Sequence, residues 1–134
     1  MKEIEPLDLA STFVALDATS GARALPVTPD FWPALESGAL GDVTRLVSSY
    51  TFTADWPTWE RHPAGEEVVL LISGRAQLEL QEGTEPVRCV TLAHAGEYVL
   101  VPPGVWHTAR IEAPTMMLFI TPGEGTENRP TGPG

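Results

Sequence analysis

The stretch TWERHPAGEEVVLLISG (58–74) places carboxylates and an imidazole directly before an apolar run. Glu60 and His62 are two residues apart in an extended segment, so their side chains emerge on the same face. Pro63 favours extended backbone at His62, and the Pro-Ala-Gly turn that follows allows the chain to reverse. The returning strand begins at Glu67, whose carboxylate can then reach the same place.

A second stretch, GEYVLVPPGVWH (96–107), delivers another imidazole to a strand end. The Pro-Pro-Gly turn places His107 at the beginning of the run WHTARIE, where Ala109 and Ile111 share its face. Two carboxylates and two imidazoles then come from separate strand ends, and an unpaired buried carboxylate is costly. A divalent metal ion is an economical way to hold such groups together, because neutral imidazole and carboxylate are standard ligands.

The two stretches resemble the paired motifs of the cupin superfamily. The first family motif is Gly, five residues, His-x-His, three or four residues, Glu, six residues and Gly. Three residues match it here: His62, Glu67 and Gly74. The second motif is Gly, five residues, Pro-x-Gly, two residues and His. Four residues match it: Gly96, Pro102, Gly104 and His107. The resemblance covers roughly residues 45–120 and implies a jelly-roll β-barrel.

Three positions depart from the family pattern. Glu60 replaces the first His of His-x-His, Ala54 replaces the leading Gly, and Ile111 replaces the Asn that ends the second motif. The resemblance implies that one divalent ion is held by four side chains: Glu60, His62, Glu67 and His107. Two oxygens and two nitrogens suit Fe(II), Mn(II), Ni(II) or Zn(II), so the identity of the ion stays open. If Glu60 does not bind the ion, it is instead a candidate general base.

The resemblance implies a metal-binding cupin that acts on a small organic molecule by oxygenation, isomerisation or decarboxylation. One alternative is a non-catalytic cupin that senses or binds a small ligand, and another is an interaction protein whose polar cluster is a relic. Aromatic and apolar side chains are more often core residues, but a few are expected to line the cavity. The candidates for the substrate pocket are Tyr50, Trp56, Met117 and Phe119.

Each candidate ligand also has a purely structural interpretation. Either histidine can be a barrel residue that hydrogen-bonds to the backbone. Glu67 can pair with Arg75, and Glu60 can pair with Arg61. His94 lies outside both motifs and is expected on the surface.

The chain contains 12 Gly and 13 Pro, which divide it into short segments. This composition predicts an all-β protein with tight turns. Eight runs read as strands: 11–17, 43–56, 67–73, 75–81, 87–92, 98–102, 106–112 and 115–121. The stretch 28–38 predicts one short helix, with Thr28 as its cap and Gly38 at its exit. We expect residues 1–40 to extend the barrel with a strand and this helix, and residues 41–121 to form the cupin barrel. Residues 122–134 are expected to be a Gly/Pro-rich tail, either disordered or draped over the barrel.

The composition of the 134 residues indicates one acidic domain. A formal net charge of −10 supplies no basic surface for nucleic acid or for anionic membranes. No apolar run approaches the roughly 18 residues of a spanning helix, and the first residues lack the apolar segment of a signal peptide. The single cysteine, Cys89, is expected to be inert and half-buried, which fits a reducing cytoplasm. A homodimer that covers the remaining sheet edges is expected.

Overall fold

The computed structural model describes residues 4–131, in which eleven β-strands and one short helix, α1 (Phe31–Glu36), are present. The strands are β1 (Thr12–Leu16), β2 (Ala22–Pro26), β3 (Arg45–Phe52), β4 (Thr58–Arg61), β5 (Glu67–Ser73), β6 (Ala76–Gln81), β7 (Arg88–Leu92), β8 (Tyr98–Val101), β9 (Trp106–Ile111), β10 (Thr115–Thr121) and β11 (Glu127–Pro130).

The strands form two antiparallel sheets. One has the order β2-β1-β3-β10-β5-β8, and the other has the order β11-β4-β9-β6-β7. Along β10, the buried residues Thr115, Met117 and Phe119 alternate with partly exposed ones, because successive side chains point to opposite faces. The predicted all-β jelly-roll fold with one short helix is therefore confirmed.

The core has two parts. The larger part lies between the sheets and contains Val69, Leu71 and Leu78, none of which exposes any surface. The smaller part holds α1 against the N-terminal strands, where Phe31 meets Phe13 edge to face at 5.3 Å between ring centroids. This second cluster fixes the helix at one end of the barrel, beside the site described below.

All eight predicted strands are present, and the extended segment around Glu60 is β4. Strands β2 and β11 are not predicted, because both are edge strands made mainly of exposed residues without an alternating pattern. The helix begins at Phe31 with Asp30 at its N-cap position, so the prediction of Thr28 as the cap is wrong. Gly38 follows the helix at φ +82°, as its position predicts.

Residues 122–131 lie against the barrel. Strand β11 pairs with β4, and Arg61 forms a 2.8 Å ion pair with Glu127. The guanidinium of Arg129 lies 4.4 Å from the ring centroid of Trp106 and 5.5 Å from that of Trp59. Of the two alternatives for the tail, disorder or packing over the barrel surface, residues 122–131 adopt the second. The last three residues of the predicted tail and the first three of the predicted N-terminal segment lie outside the described residues.

Cys89 is exposed on β7, which corrects the prediction of a half-buried thiol. It lies on the edge strand of the smaller sheet, and only one residue of β7 is buried. Within the described part of the chain, no helix is both long and apolar enough to span a membrane.

Candidate metal site

The four predicted ligands meet at one end of the barrel. Glu60 lies on β4, His62 directly follows that strand, Glu67 begins β5 and His107 lies on β9. One ligand atom of each residue lies within 4.8 Å of the ligand atoms of the other three. The structure thus brings together side chains from four separate positions in the sequence.

Backbone pairing explains why these side chains converge. Glu60 is the direct partner of His107 in the β4–β9 ladder. The backbone N–H of Gly104, in the Pro-Pro-Gly turn, donates to the carbonyl of His62 at 3.1 Å. Glu67 pairs with Val101, at the end of the strand that precedes this turn. The two motifs are therefore joined to each other by hydrogen bonds around the cluster.

Three members of the cluster are almost completely removed from solvent. The relative exposure is 0% for His107, 2% for Glu67 and 5% for His62, whereas the side chain of Glu60 is 28% exposed. The Nε2 atom of His107 is 2.9 Å from Glu67 Oε1, and Nε2 of His62 is 3.3 Å from Glu67 Oε2. Glu60 Oε1 lies 3.7 Å from Nε2 of His62 and 3.8 Å from Nε2 of His107. Glu60 therefore forms the solvent-facing side of the cluster.

Hydrogen bonds on the far side of each ring determine the tautomer of both neutral imidazoles. His107 Nδ1 lies 3.1 Å from the carbonyl of Val105, which can only accept, so Nδ1 carries the hydrogen. His62 Nδ1 lies 2.8 Å from Oγ1 of Thr126, whose own hydrogen is donated to the carbonyl of Gly123 at 2.7 Å. The Thr126 hydroxyl must therefore accept from His62. In both neutral rings, the lone pair is on Nε2 and faces the other ligands.

Three buried atoms of the cluster have no hydrogen-bond partner: His62 Nε2, His107 Nε2 and Glu67 Oε1. The close contact between His107 and Glu67 does not have the direction of a hydrogen bond, since both of its atoms stay unpartnered. An unsatisfied buried polar atom costs about 1–3 kcal/mol. Ligands about 2.1 Å from a common ion lie about 3–4 Å apart, which matches the distances above. These residues fit a divalent metal ion.

The charge state of the cluster without an ion supports the same interpretation. Burial opposes the charged form of His62, but its contacts with Glu60 and Glu67 outweigh burial and raise its pKa to about 9. Burial likewise opposes ionisation of Glu67, but its contacts with His107 and His62 lower its pKa to about 2. A proton on His62 thus takes the place that a cation would occupy.

Two hydroxyl groups complete the surroundings of the cluster. Thr121 Oγ1 donates to Glu67 Oε2 at 2.6 Å and holds that carboxylate in place. Burial and the negative charge of Glu60 raise the pKa of Tyr50 to about 12. Tyr50 is therefore a neutral phenol at physiological pH and can donate a hydrogen bond.

A cavity of about 950 Å³ leads from the surface to the cluster. Three of the predicted pocket residues line it, namely Tyr50, Trp56 and Phe119. Met117 does not line the cavity, which corrects the prediction, because it is fully buried in the core.

Several residues of the cavity are not predicted by the sequence. Trp32 belongs to α1, Phe52 ends β3, and Thr126 lies in the turn before β11. Phe52 lies two residues after Tyr50 on β3, so the sequence could have placed both side chains on the same face. Neither Trp32 nor Thr126 has a local signal, because their positions depend on contacts distant in sequence.

One structural alternative is observed beside the cluster contacts, because His107 hydrogen-bonds to the backbone carbonyl of Val105 through Nδ1 while its Nε2 faces the other ligands. The two predicted pairings with arginine are not observed. Glu67 contacts the two histidines and Thr121 rather than Arg75. Arg61 pairs with Glu127 rather than with Glu60. His94 is on the surface, as predicted, with a side chain 84% exposed.

A comparison with protein families identifies a match to the Cupin domain family over residues 53–121, more than half of the chain. The sequence has no significant match among curated proteins. Among solved structures, a cupin-2 domain containing protein from Shewanella frigidimarina shares 22% identity with a TM-score of 0.50. That match covers 59% of this chain and 71% of the other.

Two further solved structures are enzymes of oxalate. Oxalate decarboxylase from Bacillus subtilis shares 19% identity with a TM-score of 0.57, over 72% of this chain and 26% of that chain. An oxalate oxidase shares 15% identity with a TM-score of 0.53, over 62% of this chain and 45% of that chain. At such identities these likenesses show the fold alone. The match to the family model over residues 53–121 establishes that this chain belongs to the cupin domain family.

Proposed function

We propose that this protein is a metal-dependent cupin enzyme that acts on a small organic molecule. The ion would be held by Glu60, His62, Glu67 and His107, at the inner end of the cavity. The observation that carries this proposal is the set of three buried, unpartnered ligand atoms that converge on one point. Even with a proton on His62, Nε2 of His107 and Oε1 of Glu67 stay without a partner when no ion is bound, and a relic cluster would not preserve such destabilising atoms.

The candidate ions are Fe(II), Mn(II), Ni(II) and Zn(II). A divalent ion would supply Lewis-acid or dioxygen-binding chemistry when bound. Bacillus subtilis oxalate decarboxylase, which shares the fold, has Mn(II) centres, and this supports including Mn(II) in any reconstitution. At this low identity, neither the substrate nor the reaction of that protein can be assigned to this chain. We therefore propose three classes of reaction: oxygenation, isomerisation and decarboxylation.

The chain's own residues would orient the substrate and control its protons. Tyr50 can donate a hydrogen bond to an oxygen or nitrogen atom of a molecule in the cavity. Glu60 is the one ligand candidate with a solvent-accessible side chain, and it can either bind the ion or accept a proton from the substrate. Trp56, whose ring centroid lies 6.3 Å from that of His107, excludes water from one side of the cluster.

Elemental analysis of protein purified without a His tag or chelator tests this proposal first. We expect about one divalent ion per chain, and we expect EDTA to lower the melting temperature. An ion at about 100 times its Kd stabilises the fold by about 2.7 kcal/mol, or about 10 °C in a domain of this size. The His107→Ala variant should lose the ion, whereas His94→Ala is the matched control because His94 is exposed and outside the cluster. Absence of both metal and an EDTA effect would contradict the proposal.

Turnover separates the enzyme from a non-catalytic ligand-binding cupin. The metal-loaded protein is incubated with a library of small organic molecules, and products are followed by mass spectrometry and oxygen consumption. An enzyme gives metal-dependent products, whereas a binding protein gains thermal stability with a ligand and gives none.

We also propose that the protein is a homodimer. Tyr98 and Leu100 project from β8, an edge strand, and are 59% and 52% exposed. Ile72, on the neighbouring β5, adds to the same apolar face. Light scattering after size exclusion checks this, and Leu100→Glu is expected to give monomers. The cytoplasmic location stays a prediction.

A further inference from the structure

The cavity that leads to the cluster has a continuous aromatic wall. Trp32 lies at its outer part and is 44% exposed. Further in, the ring centroid of Phe52 is 6.0 Å from that of Tyr50 and 5.3 Å from that of Trp56. The ring centroid of Phe119, which also lines the cavity, is 5.8 Å from that of Trp56. A lining with these aromatic side chains suits a flat apolar group.

The charged side chains that line the outer part of the same cavity are all acidic. Three exposed carboxylates, Glu36, Asp42 and Glu124, line it in addition to the two in the cluster. No Lys or Arg in residues 4–131 belongs to the lining. The guanidinium of Arg23 donates to the backbone carbonyl of Asp42, but Arg23 does not belong to the lining.

A bound metal ion would not reverse this balance. Two carboxylates and two neutral imidazoles neutralise a divalent ion, so the centre would contribute no net charge to the cavity. The three rim carboxylates would then leave the cavity negative whether or not the ion is present. The rim is not the only feature that indicates a ligand here, because the unpartnered atoms of His62 and Glu67 lie in the lining of this cavity.

From these observations, and resting on the proposed function, we propose that the cavity selects aromatic molecules that are positively charged, admits neutral ones less well, and disfavours carboxylates. The ring of such a molecule would lie against Trp56 and Phe119, and an amine would be attracted by the carboxylates of the rim. Aromatic ring faces also attract cations, so the aromatic side chains and the rim carboxylates both favour a positively charged molecule. Small dicarboxylates meet neither a basic side chain nor a net positive centre.

Calorimetric titration of the metal-loaded protein tests this selectivity with three probes of one shape: phenylpropylamine, phenylpropanol and phenylpropanoate. At low salt, we expect the amine to bind about tenfold more tightly than the carboxylate, with the alcohol between them. The difference should shrink in about 0.3 M salt, because the rim is exposed and its field is screened. A carboxylate that binds as tightly as the amine, by ligating the ion, would overturn the inference, as would no binding of any probe.

A charge-removal variant identifies the cause of the selectivity. The triple variant Glu36→Gln, Asp42→Asn and Glu124→Gln should bring the three affinities within about threefold of one another. The matched control removes three exposed charges elsewhere, through Glu82→Gln, Glu85→Gln and Glu112→Gln, and should keep the original order. An unchanged order in the rim variant would overturn the inference.

Metal content measured on the same samples separates the two proposals. Selectivity for the amine without bound metal contradicts only the proposed function. Bound metal with preference for the carboxylate contradicts only the inference.

Discussion

Thr126 Oγ1 accepts a hydrogen bond from His62 Nδ1 at 2.8 Å, and through it the C-terminal turn determines which nitrogen of His62 faces the cluster. This turn immediately precedes β11, which is tied to β4 by backbone pairing and by the ion pair between Arg61 and Glu127. The C-terminal strand therefore supports the candidate metal site, although none of its side chains is a candidate ligand.

The variant Thr126→Val is expected to weaken metal binding by about 10- to 100-fold, because loss of a hydrogen bond behind a histidine ligand has effects of that size. Thr126→Ser keeps the hydroxyl and should restore most of the affinity. Competition with a metal-sensitive dye measures both dissociation constants. Equal affinities of the valine variant and the unchanged protein would show that Thr126 does not position His62.

Glu60→Gln separates the two roles proposed for this residue. If Glu60 is a ligand, the variant should bind the ion at least about tenfold more weakly, because an anionic ligand is replaced by a neutral one. If it is a general base, the ion should be retained and turnover lost. Metal content and product formation, measured on the same preparation, distinguish these results. The partly exposed position of Glu60 makes this variant easier to tolerate than a change at the fully buried His107.

Metal affinity is expected to rise with pH, because His62 must lose its proton before it can bind an ion. Its pKa in the metal-free protein is about 9, so each ion displaces about one proton below that pH, and the affinity should rise about tenfold per pH unit. Dye competition at about pH 6, 7 and 8 measures this slope. An affinity that is independent of pH would contradict the prediction.

The stability of the metal-free protein should fall at both alkaline and strongly acidic pH. The pKa of His62 is raised from 6.5 to about 9, so its contribution is complete below about pH 6.5 and is lost as the pH rises through 9. The pKa of Glu67 is lowered from 4.5 to about 2, so its contribution is present above 4.5 and lost as the pH falls through 2. Thermal melts in EDTA from acid to alkaline pH measure both limits.

Gly74→Ala is expected to destabilise the fold by about 3 kcal/mol or more. Gly74 has φ +86°, and an added Cβ would lie 2.6 Å from both the carbonyl of Pro114 and Oγ1 of Thr115. Gly38 provides the control, because it has φ +82° with nothing within 4 Å of an added Cβ. Gly38→Ala should therefore cost only the backbone strain, about 1 kcal/mol. Urea unfolding of the two variants compares these values, and equal losses would exclude a steric role of Gly74.

The spacing of residues along the chain was enough to predict the face of each strand. Glu60 and His62 share a face because side chains alternate in an extended strand, and the same parity places His107 with Ala109 and Ile111. The turns that bring these strand ends together also have local signals, since Pro and Gly restrict or extend the backbone at fixed positions. The strand faces and turns therefore followed from local rules, whereas the barrel and the full ligand set were implied by the resemblance to the cupin motifs.

Depth along the barrel and the positions of distant segments depend on tertiary structure. Met117 and Phe119 have the same parity, yet only Phe119 lines the cavity, because Met117 is fully buried in the core. The contact of Thr126 with His62 joins residues 64 positions apart and depends on how β11 pairs with β4. Periodicity determines the direction of a side chain because it arises within one strand. Depth and long-range partners depend on which strands pair and in what register, and this is decided by the packing of the whole chain.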